Sequence, residues 1–263
     1  MVNNWHFEYI PTTQSTNSDL MERWRSNLLE KPVSRMADVQ TAGRGRRGNQ
    51  WISESGQSLT FSMAYPFTSN NGMQHLSGLS LACGLGLLYG LAEYFKTSLD
   101  TLHNRGVRLK WPNDVLVNNA KLSGILVEGG QPRPNESIWM IVGIGINLKP
   151  LTMSEPAEAY RIANLKELFP NTPAFNATEL WHSLSNTFLN VFQEFNDQGF
   201  KAFQADWNEW NAFDKQPVEL RQEGQVVQAG ICQGVDTSGA LIINSGGNLK
   251  TIHNGELSLR LNS

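Results

Sequence analysis

The sequence contains little cysteine and little net charge. Its two cysteines, Cys83 and Cys232, lie far apart and have no companions at metal-ligand spacing. This pattern argues against a disulfide framework and is typical of a reducing compartment, so we expect a cytoplasmic protein. The formal net charge is −3 over 263 residues, which provides no global positive field for nucleic acid or an acidic membrane. Any anion-binding site must therefore be local.

An uninterrupted apolar run long enough to span a membrane is also missing. The most apolar stretch, Leu76 to Phe95, is broken by several glycines and by Glu93, so it predicts a buried helix. The N-terminus has neither the basic start nor the apolar core of a signal peptide. The five histidines show no metal-ligand spacing, and no Asp/Glu constellation marks ligands for Mg²⁺.

Length and patterning predict an α/β protein with a large and a small domain. In residues 1–213, strands are predicted at Trp5–Pro11, Val33–Val39, Leu59–Tyr65, Val107–Trp111, Val115–Val117, Lys121–Glu128 and Ile138–Ile146. Helices are predicted from Ser15 or Thr16 through Leu28, and at Leu76–Phe95, Arg161–Phe169, Thr178–Phe195 and Gly199–Trp210.

The predicted secondary structure changes near Lys215, from mixed helices and strands to short strands. Short strands separated by glycine turns are predicted at Val218–Leu220, Gln225–Ile231, Ala240–Ile243, Leu249–His253 and Glu256–Leu261. Such close spacing favours a small β-barrel, so residues 214–263 are expected to form a second domain.

The segment Gly43–Gly48 carries three arginines between glycines: Arg44, Arg46 and Arg47. It formally matches the dinucleotide motif G-x-G-x-x-G, but no helical pattern follows it, and no Gly-Lys-Ser/Thr of a P-loop is present. Glycines allow close backbone approach and guanidinium groups bind phosphate or carboxylate oxygens. We interpret the segment as an anion-binding loop that closes over its ligand. A solvated basic loop, or one that touches nucleic acid, is the alternative.

Two lysine-bearing strands form a second motif. Pro112 breaks the segment Lys110–Asp114, which places Asn113 and Asp114 at a sheet edge or bulge where they can point into a site. Lys121 begins the next strand, and Gly124 permits close approach of a ligand. Lys121 can act as a compact cation beside a carboxylate or phosphate. Taken singly, Lys121 is better explained as an exposed lysine at a hairpin end, and Asp114 as a turn or salt-bridge residue.

Taken together, these motifs resemble the biotin protein ligases. The similarity runs in order through Ser15–Asn17, Gln40–Gly48, Trp51, Lys110–Asp114, Lys121–Glu128, Gly143–Asn147, Gly234–Leu241 and Glu256–Arg260. The resemblance implies a mixed-sheet catalytic domain of the biotin/lipoate-ligase type, followed by a small SH3-like barrel. Asn49 stands where many relatives carry a further arginine, so one loop contact of the family is in doubt.

The resemblance also implies roles for individual residues. Biotin would be bound by Ser15, Thr16, Asn17, Gln40, Gly43, Arg44, Gly45, Arg46, Lys121 and Gly124. ATP or the adenylate would be bound by Arg44, Arg46, Arg47, Trp51, Asn113, Lys121 and Asn147. The catalytic groups would be Lys121, Arg46 and Asp114, with Asp114 orienting or deprotonating the incoming lysine.

The implied activity is the ATP- and Mg²⁺-dependent conversion of biotin to biotinyl-5′-AMP, followed by transfer to a lysine of a biotin carboxyl carrier protein of acetyl-CoA carboxylase or a similar carboxylase. Two alternatives are a lipoate- or octanoate-type ligase of similar fold and a non-enzymatic nucleic-acid-binding protein. Only 14 residues precede Ser15, so no winged helix-turn-helix and no operator binding are expected. The sequence does not decide between a monomer and a homodimer.

Overall fold

A seven-stranded mixed sheet forms the centre of the larger part of the protein. The computed structural model describes residues 4–68, 72–130, 136–150, 161–172, 176–253 and 257–262. The strands of this sheet are β1 (His6–Thr13), β2 (Val33–Gln40), β3 (Ser58–Phe67), β4 (Val107–Lys110), β5 (Asp114–Val117), β6 (Ala120–Gly130) and β7 (Ile138–Asn147). Their order across the sheet is β1-β2-β3-β7-β6-β5-β4, and β1 and β2 are parallel, whereas the other neighbours are antiparallel.

Helices cover both faces of this sheet. They are α1 (Thr16–Arg25), α2 (Leu79–Tyr94), α3 (Leu99–Asn104), α4 (Leu165–Leu168), α5 (Ala177–Gln198) and α6 (Gln204–Glu209). α1 packs Leu20 and Met21 against β3 and β7 on one face. α2 and α5 pack together on the other face, where a Cβ at Gly90 would lie 2.6 Å from a methyl carbon of Leu184. The helical stretch Met73–Tyr94, which includes α2, is long and apolar enough to cross a membrane by length and composition, but most of it is buried inside the protein.

Strands β3, β7 and β6 present two chemically different faces, because successive side chains alternate between the faces of a sheet. The face toward α2 and α5, here called the core face, carries large apolar side chains: Phe61, Met63, Val142, Ile144 and Ile125. The face toward α1, here called the site face, carries two cross-strand rows, Thr60–Gly145–Gly124 and Ser62–Gly143–Leu126. A depression in the site face is therefore built into the strand register.

The C-terminal strands form a separate antiparallel sheet. These are β8 (Pro217–Gln222), β9 (Gln225–Val235), β10 (Leu241–Ser245), β11 (Asn248–Ile252) and β12 (Ser258–Leu261), in the order β11-β10-β9-β8-β12. Within the described residues this is an open sheet with β11 and β12 at its edges, not a closed barrel. It contacts the larger part at the N-terminus of α2, where Ser77 Oγ donates to Ser238 O at 2.7 Å. Trp111 Nε1 donates to Gly239 O at 3.1 Å.

Several predicted elements differ from those observed. The first helix ends at Arg25 rather than Leu28. The helix expected at Arg161–Phe169 is restricted to α4, because the segment before it pairs with β6: Lys121 N donates to Arg161 O at 2.7 Å and Ala163 N to Lys121 O at 3.0 Å. The helix expected at Gly199–Trp210 is a 3₁₀ turn (Phe200–Ala202) followed by α6, and α3 was not predicted. Glu256, placed in the last predicted strand, lies outside the described residues.

Candidate active site

A pocket lies on the site face, and its floor is made of small residues. Thr60 and Ser62 from β3, Gly143 and Gly145 from β7, and Gly124 from β6 line it. A Cβ at Gly145 would approach Trp51 Cε2 to 2.3 Å, and a Cβ at Gly143 would approach Asn17 Oδ1 to 2.6 Å. Larger side chains would therefore occupy the space above the strands.

The arginine loop, residues 43–48, forms one wall of this pocket. A bridge between Arg44 and Gln50 closes the loop at its base, and Gly45 N donates to Asn49 O at 2.7 Å. The tip is a single 3₁₀ turn in which Arg47 has a left-handed φ of 57°. Arg44, Arg46 and Arg47 all line the pocket. The loop therefore presents its three guanidinium-bearing residues to one cavity.

The end of the Lys110–Asp114 segment also lines the pocket, through Asn113 and Asp114. It is a turn between β4 and β5 with a cis Trp111–Pro112 bond. Arg46 of the arginine loop donates to Asn113 Oδ1 at 3.1 Å. Asn113 is itself held against β6, since its Nδ2 donates to Ile125 O at 2.8 Å. The loop and the lysine strands thus meet across the pocket.

Asp114 lies between two ammonium groups. Its Oδ1 is 2.6 Å from Lys121 Nζ, and its Oδ2 is 3.9 Å from Lys110 Nζ. Lys110 is only 5% exposed, so its charge needs this nearby carboxylate, because a buried ammonium without counter-charge is costly. Lys121 Nζ also lies 5.8 Å from the ring centre of Trp51. The site therefore combines the cations of the loop with two lysines and one carboxylate.

A hydrogen-bonded network joins α1, β2 and β3 at the polar end of the pocket. Gln40 Oε1 accepts from Thr16 N at 2.7 Å and from Thr16 Oγ1 at 3.0 Å. Thr16 Oγ1 lies 2.7 Å from Ser62 Oγ. Ser53 Oγ accepts from Gln40 N at 2.9 Å. This network fixes the polar atoms that a heterocyclic ligand would meet.

Most of the predicted site residues line this pocket, but four do not. Ser15 caps α1 by accepting from Ser18 N at 3.4 Å. Asn17 is buried and donates to Glu128, and Gly43 lines a neighbouring cavity beside the arginine loop. Asn147 Nδ2 donates to Lys121 O at 3.0 Å, so its amide supports the strand that carries Lys121. The binding roles of these four residues, like those of the residues that line the pocket, stay predictions.

Sequence reasoning assigned no role to Thr60, Ser62, Gly143, Gly145 or Glu128. The alternation of Thr60 and Ser62 with Phe61 and Met63 along β3 could have shown a polar strand face. The two β7 glycines appeared in the family motif without a reason. The register that places them between Thr60 or Ser62 and β6 is a tertiary fact that the sequence does not show.

Among the described residues, no group of three or more His, Cys, Asp or Glu side chains is placed to hold a metal ion. Asp114 is the carboxylate that lines the pocket, and it already pairs with two lysines. These residues do not form a protein cage for Mg²⁺, which commonly keeps waters and binds through substrate phosphates.

Comparison with protein-family models matches residues 9–147 and, separately, residues 98–209 to the biotin/lipoate A/B protein ligase family. Residues 216–260 match the biotin protein ligase C-terminal domain. These matches cover the large sheet with its pocket and the C-terminal sheet.

Individual relatives cover nearly the whole chain. The bifunctional ligase/repressor BirA of Escherichia coli is 30% identical over 251 residues, which are 95% of this chain and 73% of that protein. The biotin–[acetyl-CoA-carboxylase] ligase of Mycobacterium tuberculosis is 28% identical and covers 95% of this chain and 87% of its own. The biotin protein ligase of Aquifex aeolicus, solved with biotin and ATP, superposes with a TM-score of 0.75 at 27% identity, covering 97% of this chain and 99% of that one.

Proposed function

The chain belongs to the biotin/lipoate A/B protein ligase family as an ATP-dependent biotin–protein ligase, and on that premise we propose that it forms biotinyl-5′-AMP and transfers the biotinyl group to a lysine of a carrier protein. The main support within the molecule is the convergence of the arginine loop and Lys121 on one pocket with a glycine floor. This arrangement suits a ligand with a compact ring at one end and an anionic acyl phosphate at the other.

In the first step, a carboxylate oxygen of biotin attacks the α-phosphorus of ATP, and the bond to pyrophosphate breaks. Negative charge grows on the α-phosphate oxygens and on the leaving pyrophosphate. Arg44, Arg46 and Lys121 line the pocket where these oxygens would lie. Cations already held in place stabilise such charge without reorganising, and each typically contributes about 3–4 kcal/mol to the transition state.

In the second step, the ε-amine of the acceptor lysine attacks the carbonyl carbon of the mixed anhydride. An amide bond forms, the C–O bond to AMP breaks, and the amine loses a proton. Asp114 is the carboxylate of the pocket, and it orients the amine or accepts this proton. No covalent enzyme intermediate is needed, and Cys83 and Cys232 are both buried away from the pocket.

The partners follow from the same proposal. We propose as acceptor the biotin carboxyl carrier protein of acetyl-CoA carboxylase or a similar carboxylase, as the name of the Mycobacterium tuberculosis relative suggests. Mg²⁺ would enter with ATP, bound mainly by phosphate oxygens and water. The reaction would take place in the cytoplasm.

The decisive experiment supplies the protein with biotin, ATP, Mg²⁺ and a carboxyl-carrier domain, and weighs the acceptor by mass spectrometry. We expect one biotinyl group on one lysine, dependent on ATP, and no addition to an acceptor whose target lysine is replaced by arginine. Parallel reactions with lipoate or octanoate and a lipoyl domain test the alternative within the family. Modification in those reactions but not with biotin would overturn the proposal.

A further inference from the structure

Glu128 joins three elements at the end of the pocket. It lies on β6 and points to the same face as Gly124 and Leu126, which line the pocket, because alternate residues of a strand share a face. Its Oε2 accepts from Asn17 Nδ2 at 2.6 Å, and its Oε1 accepts from Arg44 Nη2 at 2.5 Å. One carboxylate therefore ties the start of α1 and the arginine loop to the central sheet.

We infer that Glu128 is a positioning residue for the biotin site, which fixes the amide of Asn17 and anchors Arg44. This inference rests on the proposed function. Glu128 does not line the pocket itself; it lines a neighbouring cavity together with the arginine loop and Leu126. It therefore acts through its two neighbours rather than on the ligand.

The contact with Asn17 sets the orientation of an amide. Asn17 is 3% exposed, and its Nδ2 is held by the carboxylate of Glu128. Its Oδ1 must then point the other way, and within the described residues that oxygen has no hydrogen-bond partner. The oxygen lies 2.6 Å from the position that a Cβ on Gly143, in the pocket floor, would occupy.

This orientation has a chemical consequence for the ligand. A buried acceptor without a donor is costly, so the site gains free energy from a ligand that supplies an N–H group there. The ureido ring of biotin carries two such N–H groups, whereas the dithiolane ring of lipoate carries none. Glu128 thereby favours a ring with N–H donors.

The contact of Glu128 with Arg44 is weaker than its contact with Asn17, because Arg44 is more exposed to solvent than Asn17. The side chain of Arg44 is 44% exposed and that of Glu128 is 22% exposed, so solvent and salt screen the ion pair. Arg44 also donates to Ser18 Oγ at 3.3 Å, which supports the same position of the loop. We expect this contact to affect the mobility of the loop more than the affinity for biotin.

Glu128→Gln tests the inference, because it keeps the shape of the side chain but leaves one acceptor where two donors arrive. We expect the KM for biotin to rise about tenfold, as a lost hydrogen bond to a charged group implies, while kcat changes less than about threefold. Trypsin should cut the ligand-free protein at the loop arginines about two- to fivefold faster. A fall in kcat with unchanged KM, or unchanged KM and cleavage, would overturn the inference.

Glu8→Gln is the matched control. Glu8 is also an arginine-paired carboxylate, 2.9 Å from Arg23 and 2.8 Å from Arg35, with 19% exposure. Burial alone would raise the pKa of Glu8, but the hydrogen bonds and charges of the two arginines outweigh it and lower the pKa. Glu8 lies outside the pocket, so Glu8→Gln should leave both the KM for biotin and the loop cleavage unchanged.

Combining Glu128→Gln with Asn17→Ala shows whether Glu128 acts through Asn17. If it does, the second substitution adds less than about twofold to the KM of the Asn17→Ala variant, because coupled residues are not additive. Fully additive effects would contradict the inference. The two proposals fail differently: wild-type protein that does not ligate biotin refutes the proposed function, whereas active wild type with an unaltered Glu128→Gln variant refutes only the role of Glu128.

Discussion

The two faces of strands β3, β7 and β6 share one backbone but differ in the size, polarity and burial of their side chains. The core face carries Phe61, Met63, Val142, Ile144 and Ile125, all nearly inaccessible to solvent. The site face carries threonine, serine, three glycines and one leucine, Leu126, in the two rows that run across the same strands. The same three strands therefore support a packed interior on one side and a cavity on the other, because alternate residues point to opposite faces of the sheet.

The comparison shows which interactions stabilise the protein and which of them serve the reaction. Burial of apolar surface on the core face contributes roughly 25 cal/mol per Å² to folding. The site face provides little apolar burial and leaves polar atoms such as Asn17 Oδ1 and Trp51 Nε1 without hydrogen-bond partners among the described residues. Such atoms cost stability unless a ligand pairs with them. Substitutions on the two faces should therefore separate stability from activity.

The largest expected effect lies on the core face. Met63 is fully buried against the α2 and α5 layer and does not line the pocket, so Met63→Ala should lower the free energy of unfolding by about 2–5 kcal/mol. Urea unfolding followed by circular dichroism measures it. The fraction that stays folded should keep its KM for biotin; a strongly raised KM in that fraction would show that the two faces are not independent.

Lys121→Ala should produce the next largest effect, and in activity rather than stability. Removal of one preorganised cation should slow biotin-dependent pyrophosphate exchange by about 10²–10³-fold. The melting temperature should stay close to that of the wild type, because Lys121 is partly exposed at the pocket. Lys250→Ala, on the exposed strand β11, is the control. Wild-type exchange in the Lys121→Ala variant would refute the role of this lysine.

Gly143→Ala adds one methyl group to the site face. That methyl carbon would lie 2.6 Å from Asn17 Oδ1 and 3.5 Å from Ser62 Oγ, so the neighbours must shift, at a cost of about 1–3 kcal/mol. We expect the KM for biotin to rise by about tenfold or more. Val142→Ala, at the adjacent residue on the core face, which does not line the pocket, should instead cost about 2 kcal/mol of stability and leave the KM unchanged. Equal KM values for both variants would contradict the division between the faces.

The smallest expected effect is on proteolysis of the arginine loop, which lies beside the site face. Arg44 is paired with Glu128, and all three arginines of the loop line the pocket, so a bound anion should add contacts that hold the loop closed. We expect trypsin to cut residues 43–57 a few times more slowly with biotin and ATP than without ligand, as judged by mass spectrometry of the fragments. Cleavage at an unchanged rate in the saturated complex would argue against closure.

Much of this architecture was predictable from local pattern. The strict alternation in Leu59–Tyr65 and the apolar stripe Leu180, Leu184, Phe188 and Phe192 predicted β3 and α5. The helix expected at Arg161–Phe169 was wrong over its first half, because pairing with Lys121 overrides the helical pattern there. Local propensity does not report such long-range pairing.

The site was predictable in its residues but not in its layout. The arginine loop was identified from the chemistry of its side chains and Lys121 from its place in the family motif, and the structure brings them to one pocket. The floor of Gly143 and Gly145 and the tie from Glu128 to Asn17 depend on strand register and on contacts across 111 residues of sequence. Neither the strand register nor the Glu128–Asn17 contact produces a pattern that can be recognised in a single sequence.

The indole of Trp51 has a practical consequence. It rests on Gly145 and Gly124, close to the ammonium group of Lys121, whereas Trp5, Trp181 and Trp207 are sealed in the interior. A molecule that enters the pocket should alter the polarity around the Trp51 ring more than around these three interior rings. Intrinsic tryptophan fluorescence should therefore report ligand binding in the pocket without an added dye.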